Sequence, residues 1–299
     1  MNTPCQTLAL PLTPRDLQRL KLQRHPITAL TVWDALSGRL VDQAGVDVAL
    51  VGDSLAMVSL GHASTLPVTL EEMLHHARAA GRAIQRALMV CDLPFLSYQC
   101  GPDAAVAAAG RVLKDTPCAA VKLEGGEPEV VAVVDRLVRM GIPVVGHLGL
   151  TPQSVHRLGY RQQAADAHGQ ERLRRQSLEL QTAGCSALVL EHVPAPLASR
   201  LSRELVLPVI GIGAGDGCDG QVLVTADLLG LTERQPPFAP ARLDGAGLAL
   251  QTLRGWCEAV RAAGATQADS GIPQNQPGDG LLQGNGATPS SQARPDRST

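Results

Sequence analysis

Lysine is scarce in this chain. Of 299 residues only Lys21, Lys114 and Lys122 are lysine, although Lys and Arg together number 26. Against 28 acidic residues the formal net charge is -2. With no basic excess to hold a phosphate backbone, nucleic acid is not an expected partner. Long apolar runs are also missing. None approaches the ~20 residues that a membrane-spanning helix needs, and the first 19 residues lack the basic and apolar segments of a secretory signal. No Cys-x-x-Cys pair occurs. Cys5, Cys91, Cys100, Cys118, Cys185, Cys218 and Cys257 are irregularly spaced and odd in number. That pattern fits reduced thiols in a cytoplasmic protein rather than a disulfide framework.

What is present is a well-stocked core. Hydrophobic residues make up 44% of the chain, and the length suits one large α/β domain or two ordinary ones. Residues 1–12 read as an N-terminal extension and 13–264 as the folded body. Residues 265–299 are rich in Gly, Pro, Gln, Ser and Asp and nearly free of large apolar side chains. Such a segment buries too little surface to offset its ordering entropy, so a disordered tail is expected there.

Within the body, Thr13-Pro14-Arg15-Asp16 reads as a helix start, with Thr as cap, Pro in the first turn and an acid against the dipole. Short apolar runs follow at 27–32, 48–51, 87–91, 119–123, 143–146, 187–190 and 208–212, and a weaker one at 221–225. They lack clean alternation, as strands buried on both faces do. Helical patterns separate them at 35–44, 70–84, 102–113, 129–140, 170–183 and 195–204. Several end in Ala-Gly or Met-Gly, with Gly suited to the left-handed residue after a helix. Strand–helix alternation repeated eight times over ~250 residues indicates an α/β (β/α)₈ TIM barrel. A doubly wound open sheet is the structural alternative.

Polar residues gather at the ends of the apolar runs. Asp53 and Ser54 follow the second, Asp92 the third, Lys122 and Glu124 mark the fourth, His147 the fifth and Glu191 the sixth. In a barrel these ends converge on one rim, where active sites lie. Each residue also has a packing explanation. Asp53 and Ser54 can cap helices, Asp92 can end a strand, His147 can be a satisfied core histidine and Glu191 can pair with an arginine. Lys122 is harder to dismiss. It interrupts the apolar run Ala-Ala-Val-Lys-Leu-Glu, and a buried ammonium costs several kcal/mol unless an acid pairs with it. Three carboxylates without a Cys or His cluster favour a hard cation such as Mg²⁺. A hard cation beside a Lys suits a 2-oxo acid, polarising its carbonyl while a further carboxylate removes the α-proton. The glycines of 211–215 bring main-chain N–H groups near an anion or simply form turns.

Six stretches carry a family resemblance. They are Val51-Gly-Asp-Ser-Leu55, Gly61-His-Ala-Ser-Thr-Leu-Pro-Val-Thr-Leu70, Val121-Lys-Leu-Glu-Gly-Gly126, Gly146-His-Leu-Gly-Leu-Thr-Pro-Gln-Ser154, Leu188-Val-Leu-Glu191, and Ile210-Gly-Ile-Gly-Ala-Gly215 followed by Asp219-Gly-Gln-Val-Leu-Val224. In order, from about residue 13 to 240, they closely resemble the ketopantoate hydroxymethyltransferase family. The resemblance implies a barrel of the phosphoenolpyruvate/pyruvate group and a large ring-based homo-oligomer such as a decamer. It implies hydroxymethyl transfer from 5,10-methylenetetrahydrofolate to 3-methyl-2-oxobutanoate, giving 2-dehydropantoate for pantothenate and coenzyme A. By the same resemblance Asp53, Asp92 and Glu124 match the Mg²⁺ site, and Asp53, Ser54, Asp92 and Lys122 the oxo-acid contacts. Glu191 matches the proton acceptor, and His147 a pocket position near the substrate or folate.

The chain departs from the family pattern at 158–164, which resembles a lid but is one glycine short, at Trp33 where Tyr is usual, and at Ala226 where His is usual. A related lyase or aldolase acting on another 2-oxo acid, and a catalytically silent barrel kept for binding or assembly, are the competing readings.

Overall fold

The computed structural model describes residues 11–269. Eight parallel strands form a closed barrel in chain order: β1 (Ile27–Thr31), β2 (Val48–Val51), β3 (Leu88–Asp92), β4 (Ala120–Glu124), β5 (Val144–Gly149), β6 (Ala187–Glu191), β7 (Val209–Ile212) and β8 (Gly220–Leu223). The last strand closes on the first, with Ile27 opposite Gly220 and Leu30 opposite Leu223. The helices are α1 (Pro14–Leu22), α2 (Ala35–Gln43), α3 (Leu55–Val58), α4 (Leu70–Gly81), α5 (Pro102–Asp115), α6 (Pro128–Arg139), α7 (Val155–Leu158), α8 (Ala167–Thr182), α9 (Ala195–Glu204), α10 (Thr225–Leu228) and α11 (Gly245–Asp269).

Alternation, invisible as hydropathy, is present as a division between two cores. One side of each strand joins the barrel interior, including Ala29, Val48, Leu50, Leu88, Val90, Ala120, Val145, Ala187, Val189, Ile210 and Val222. The other side, including Val51, Met89, Cys91, Val121, Leu123, Leu148, Leu188 and Leu190, packs under the helices. Both sides are apolar because both are buried. Period two then carries the interior phase onward to Asp92, Lys122, Glu124, His147 and Glu191.

The barrel floor is sealed by α1. Leu17 is buried among the interior side chains and borders a void of about 20 Å³ whose other walls include Val90, Lys122 and Val189. Lys21 fixes the helix there, donating to Ser202 O at 2.7 Å and Leu207 O at 2.9 Å and pairing with Asp219 at 2.8 Å. Leu17→Ala would enlarge the void, and such truncations cost about 2–5 kcal/mol. Thermal unfolding of this variant is expected to begin several degrees lower with catalysis per folded molecule kept. An unchanged melting curve would show that α1 does not plug the barrel.

Several sequence expectations shift. The cap of α1 is formed in reverse: Asp16 Oδ2 accepts from the Thr13 N–H and hydroxyl at 2.8 and 2.7 Å. Strands β3, β4 and β6 extend one residue beyond their apolar runs, and β5 extends three. Asp92, Glu124, His147 and Glu191 therefore lie inside strands rather than after them, because ladder pairing continues through Asp92–Lys122, Glu124–His147 and Glu191–Ile212. Helix α11 was not foreseen, and it runs past Gly264 to Asp269, into the segment expected to be disordered. Ala is the commonest residue of that helix, and no Pro interrupts it. The rest of the expected tail, 270–299, and residues 1–10 of the expected extension lie outside the described residues. Among the described residues no helix is long and apolar enough to cross a membrane, and Cys91, Cys100, Cys118, Cys185, Cys218 and Cys257 are free thiols.

Candidate active site

The strand ends of β2 to β6 bring Asp53, Asp92, Lys122, Glu124, His147 and Glu191 to the interior of one rim. The first five are only 2–5% exposed, and Glu191 is half-buried. Ser54 is half-buried beside Asp53 at the start of α3, where its hydroxyl makes no capping bond. One glycine is needed for this packing. Gly149, at φ 96°, passes so close to β6 that a Cβ there would lie 2.2 Å from Glu191 O.

Lys122 is the centre of positive charge. Its Nζ lies 3.0 Å from Asp92 Oδ1 and 3.3 Å from His147 Nδ1. Burial opposes its charge, but Asp92, Glu124 and Asp53 outweigh burial and hold its pKa above the ordinary lysine value. His147 joins two carboxylates: Nδ1 is 3.3 Å from Glu124 Oε1 and Nε2 is 3.3 Å from Glu191 Oε2. Burial and the Lys122 charge work against protonating it, yet Glu124 and Glu191 prevail and raise its pKa to about 9.

The carboxylates differ. Burial, with Asp92 and Glu124 beside it, pushes Asp53 well above the usual range. Burial raises Asp92 as well, though Lys122 offsets part of the effect. For Glu124 burial is overcome by His147 and Lys122, and its pKa is lowered. Asp53 is thus the group most in need of a further cation. A hard divalent ion supplies one, and three oxygen-donor side chains on neighbouring strands are the right type to hold it. Among the described residues no three acidic or histidine side chains share a single focus at ligand distance. Asp92 is turned to Lys122, and Glu124 to His147 and to the Gln153 N–H at 2.9 Å. The donor set fits a cation in charge and kind.

Two residues of this site were not anticipated from the sequence. Gln153, on the 3₁₀ turn Pro152–Ser154, donates to Asp53 Oδ2 at 2.8 Å. Tyr98, in the β3–α5 loop, bonds to Gln153 and to the Glu124 backbone. One faint signal existed: Tyr98 is one of two tyrosines in the chain. The segment 158–164 lies beside the rim. Gly159 and Ala164 have positive φ, and the Gln163 N–H donates to His192 O at 3.0 Å, one residue past Glu191. The 211–215 glycines run beneath Phe238, whose ring would be 2.6 Å from a Cβ at Gly213.

A buried lysine, an acid–histidine–acid chain and a group of carboxylates of the kind that holds a hard cation can together bind an anionic carbonyl compound and remove a proton beside its carbonyl. Comparison with known proteins agrees with this chemistry. The family model for ketopantoate hydroxymethyltransferase matches residues 11–264. The 3-methyl-2-oxobutanoate hydroxymethyltransferase of Synechococcus sp. (strain RCC307) is 65% identical over 266 residues, 88% of this chain and 98% of that protein. That of Prochlorococcus marinus (strain MIT 9303) is 60% identical over 85% of this chain and 96% of its own. Among solved structures, a 2,3-dimethylmalate lyase of the PEP mutase/isocitrate lyase superfamily aligns with TM-score 0.54 at 18% identity, over 85% of this chain and 89% of that one. A phosphonopyruvate hydrolase crystallised with oxalate and Mg²⁺ aligns with TM-score 0.57 at 11% identity, over 88% and 93%. These last two share the barrel fold. The chain belongs to the ketopantoate hydroxymethyltransferase family and is a transferase of that type.

Proposed function

We propose that this enzyme moves a hydroxymethyl unit from 5,10-methylenetetrahydrofolate to 3-methyl-2-oxobutanoate, yielding 2-dehydropantoate. The observation that carries this reading is the buried Lys122 among Asp53, Asp92 and Glu124, with Glu191 across His147. Asp53, Asp92 and Glu124 would hold one Mg²⁺, which when bound draws electrons from the keto and carboxylate oxygens of the oxo acid. Lys122, Ser54 and the main chain around Asp53 receive the substrate carboxylate. Glu191 takes the C3 proton, and His147 keeps its carboxylate oriented. Water opens both C–N bonds that hold the methylene carbon, which frees tetrahydrofolate and leaves a one-carbon carbonyl unit at the formaldehyde level. The enolate carbon then adds to that carbonyl, whose oxygen, derived from water, takes up a proton and becomes the product hydroxyl. We also propose that the chain works in the cytoplasm as a homo-oligomer.

The test is exchange of the C3 proton of 3-methyl-2-oxobutanoate with deuterated solvent, without folate. Exchange is expected with Mg²⁺, to stop in EDTA and to return when Mg²⁺ is restored. Full exchange in EDTA would overturn the cation's part. A panel of other 2-oxo acids exchanging faster would favour a lyase or aldolase instead.

A further inference from the structure

Gln153 carries no charge, yet it is the most connected neighbour of the acidic groups, and it is buried. Its carboxamide nitrogen donates to Asp53 Oδ2 at 2.8 Å and to Leu93 O at 3.0 Å. Its carboxamide oxygen accepts from the Tyr98 hydroxyl at 2.8 Å and from Gln99 Nε2 at 3.2 Å. Its main-chain N–H donates to Glu124 Oε2 at 2.9 Å. These partners allow one orientation only. Turned over, the amide would set its oxygen against two acceptors and its nitrogen against the Gln99 amide.

Tyr98 enforces that orientation. Its hydroxyl accepts from the Glu124 N–H at 3.1 Å. Its single proton goes to Gln153 at 2.8 Å in preference to Glu124 O at 3.1 Å. A closed circuit results, running from the Gln153 carboxamide through Tyr98 to Glu124 and back through the Gln153 main chain, with Asp53 bonded to the same carboxamide. Three buried carboxylates on adjacent strands repel one another, so a fixed donor is what keeps Asp53 turned inward.

We infer that Gln153 is a positioning residue: clamped by Tyr98, it engages one oxygen each of Asp53 and Glu124 and so restricts how these carboxylates can turn toward a divalent cation. This rests on the cation reading proposed above. Partners of this kind, one bond removed from the ligands, alter metal affinity by about 10–100-fold when lost.

The experiment titrates Mn²⁺ into the full chain by calorimetry and electron paramagnetic resonance, for the parent, Gln153→Met, Tyr98→Phe and the double variant. Met has nearly the same shape and no donor. Gln153→Met is expected to weaken Mn²⁺ binding about 10-fold or more, and Tyr98→Phe several-fold, with the metal-free Tyr98→Phe protein melting near the parent. Because Tyr98 acts through the Gln153 carboxamide, the double variant should bind no more weakly than Gln153→Met alone. Parental Mn²⁺ affinity in Gln153→Met, or losses that simply multiply in the double variant, would overturn the inference while leaving the cation reading intact. If Gln153→Met does not fold, Tyr98→Phe decides, and unchanged affinity there overturns the inference. A parent that binds no Mn²⁺ overturns both.

Discussion

In Lys122→Met, turnover is expected to fall about a thousandfold, a loss typical of removing a preorganised charge from a reacting site, while Mn²⁺ affinity is kept or rises. The two readouts separate because Lys122 has two kinds of neighbour. Toward an anionic substrate it is, among the described residues, the one buried ammonium of the rim, 3.0 Å from Asp92 Oδ1. Toward a cation it is a like charge, and removing it lowers the local positive potential. A drop in both turnover and Mn²⁺ affinity would mean that Lys122 serves the carboxylates rather than the substrate. Stability also responds. Breaking a buried pair costs about 3–5 kcal/mol because the partner is left uncompensated. Burial already raises the pKa of Asp92, so Asp92 can take up a proton and recover part of that cost. Melting curves of Lys122→Met should therefore lie below the parent and move back toward it when Mg²⁺ is added. Lys122→Arg is not expected to restore turnover: the planar guanidinium is wider than the ammonium, which sits 3.0 Å from Asp92 Oδ1 and 3.3 Å from His147 Nδ1.

Glu191→Gln is expected to cut proton exchange at C3 of the oxo acid by about 10²–10⁴-fold, the range for loss of a general base. Gln keeps the length of the side chain and an oxygen to face His147 Nε2, 3.3 Å away in the parent. Binding of Mn²⁺ and of the oxo acid should thus persist, and the loss should appear in kcat rather than KM. Undiminished exchange would remove Glu191 from the role of base. His147 in its neutral form then becomes the group to examine, since its Nε2 lies 3.3 Å from Glu191 Oε2.

The barrel was readable because its strands are short, apolar and regularly interrupted, and even the weak eighth run is a strand, Gly220–Leu223. The rim was readable because charge inside an apolar run is costly, which made Lys122 conspicuous. Sequence could not show that Asp92, Glu124, His147 and Glu191 sit within the ladder, since both strand faces are buried and hydropathy carries no phase. Gln153 escaped notice for a different reason: an uncharged amide on a three-residue turn violates no pattern, and its importance exists only in the partners brought together by β2, β3, β4 and β5. Helix α11 was missed because apolar residues such as Leu250, Leu253, Trp256 and Val260 are exposed, so no buried stripe marks it.

Closure of β8 on β1 sets the order in which the molecule can assemble. Ile27 must find Gly220, and Lys21 must find Asp219, 198 residues away. No shorter piece of chain completes the cylinder, so an emerging polypeptide carries β1 with one unpaired edge until nearly the whole body has been synthesised. Loops of that length close slowly, and an open apolar edge invites pairing with other chains. The folding of this protein is therefore expected to be limited by the return of its eighth strand, and its dependence on chaperones to be greatest just before that strand arrives.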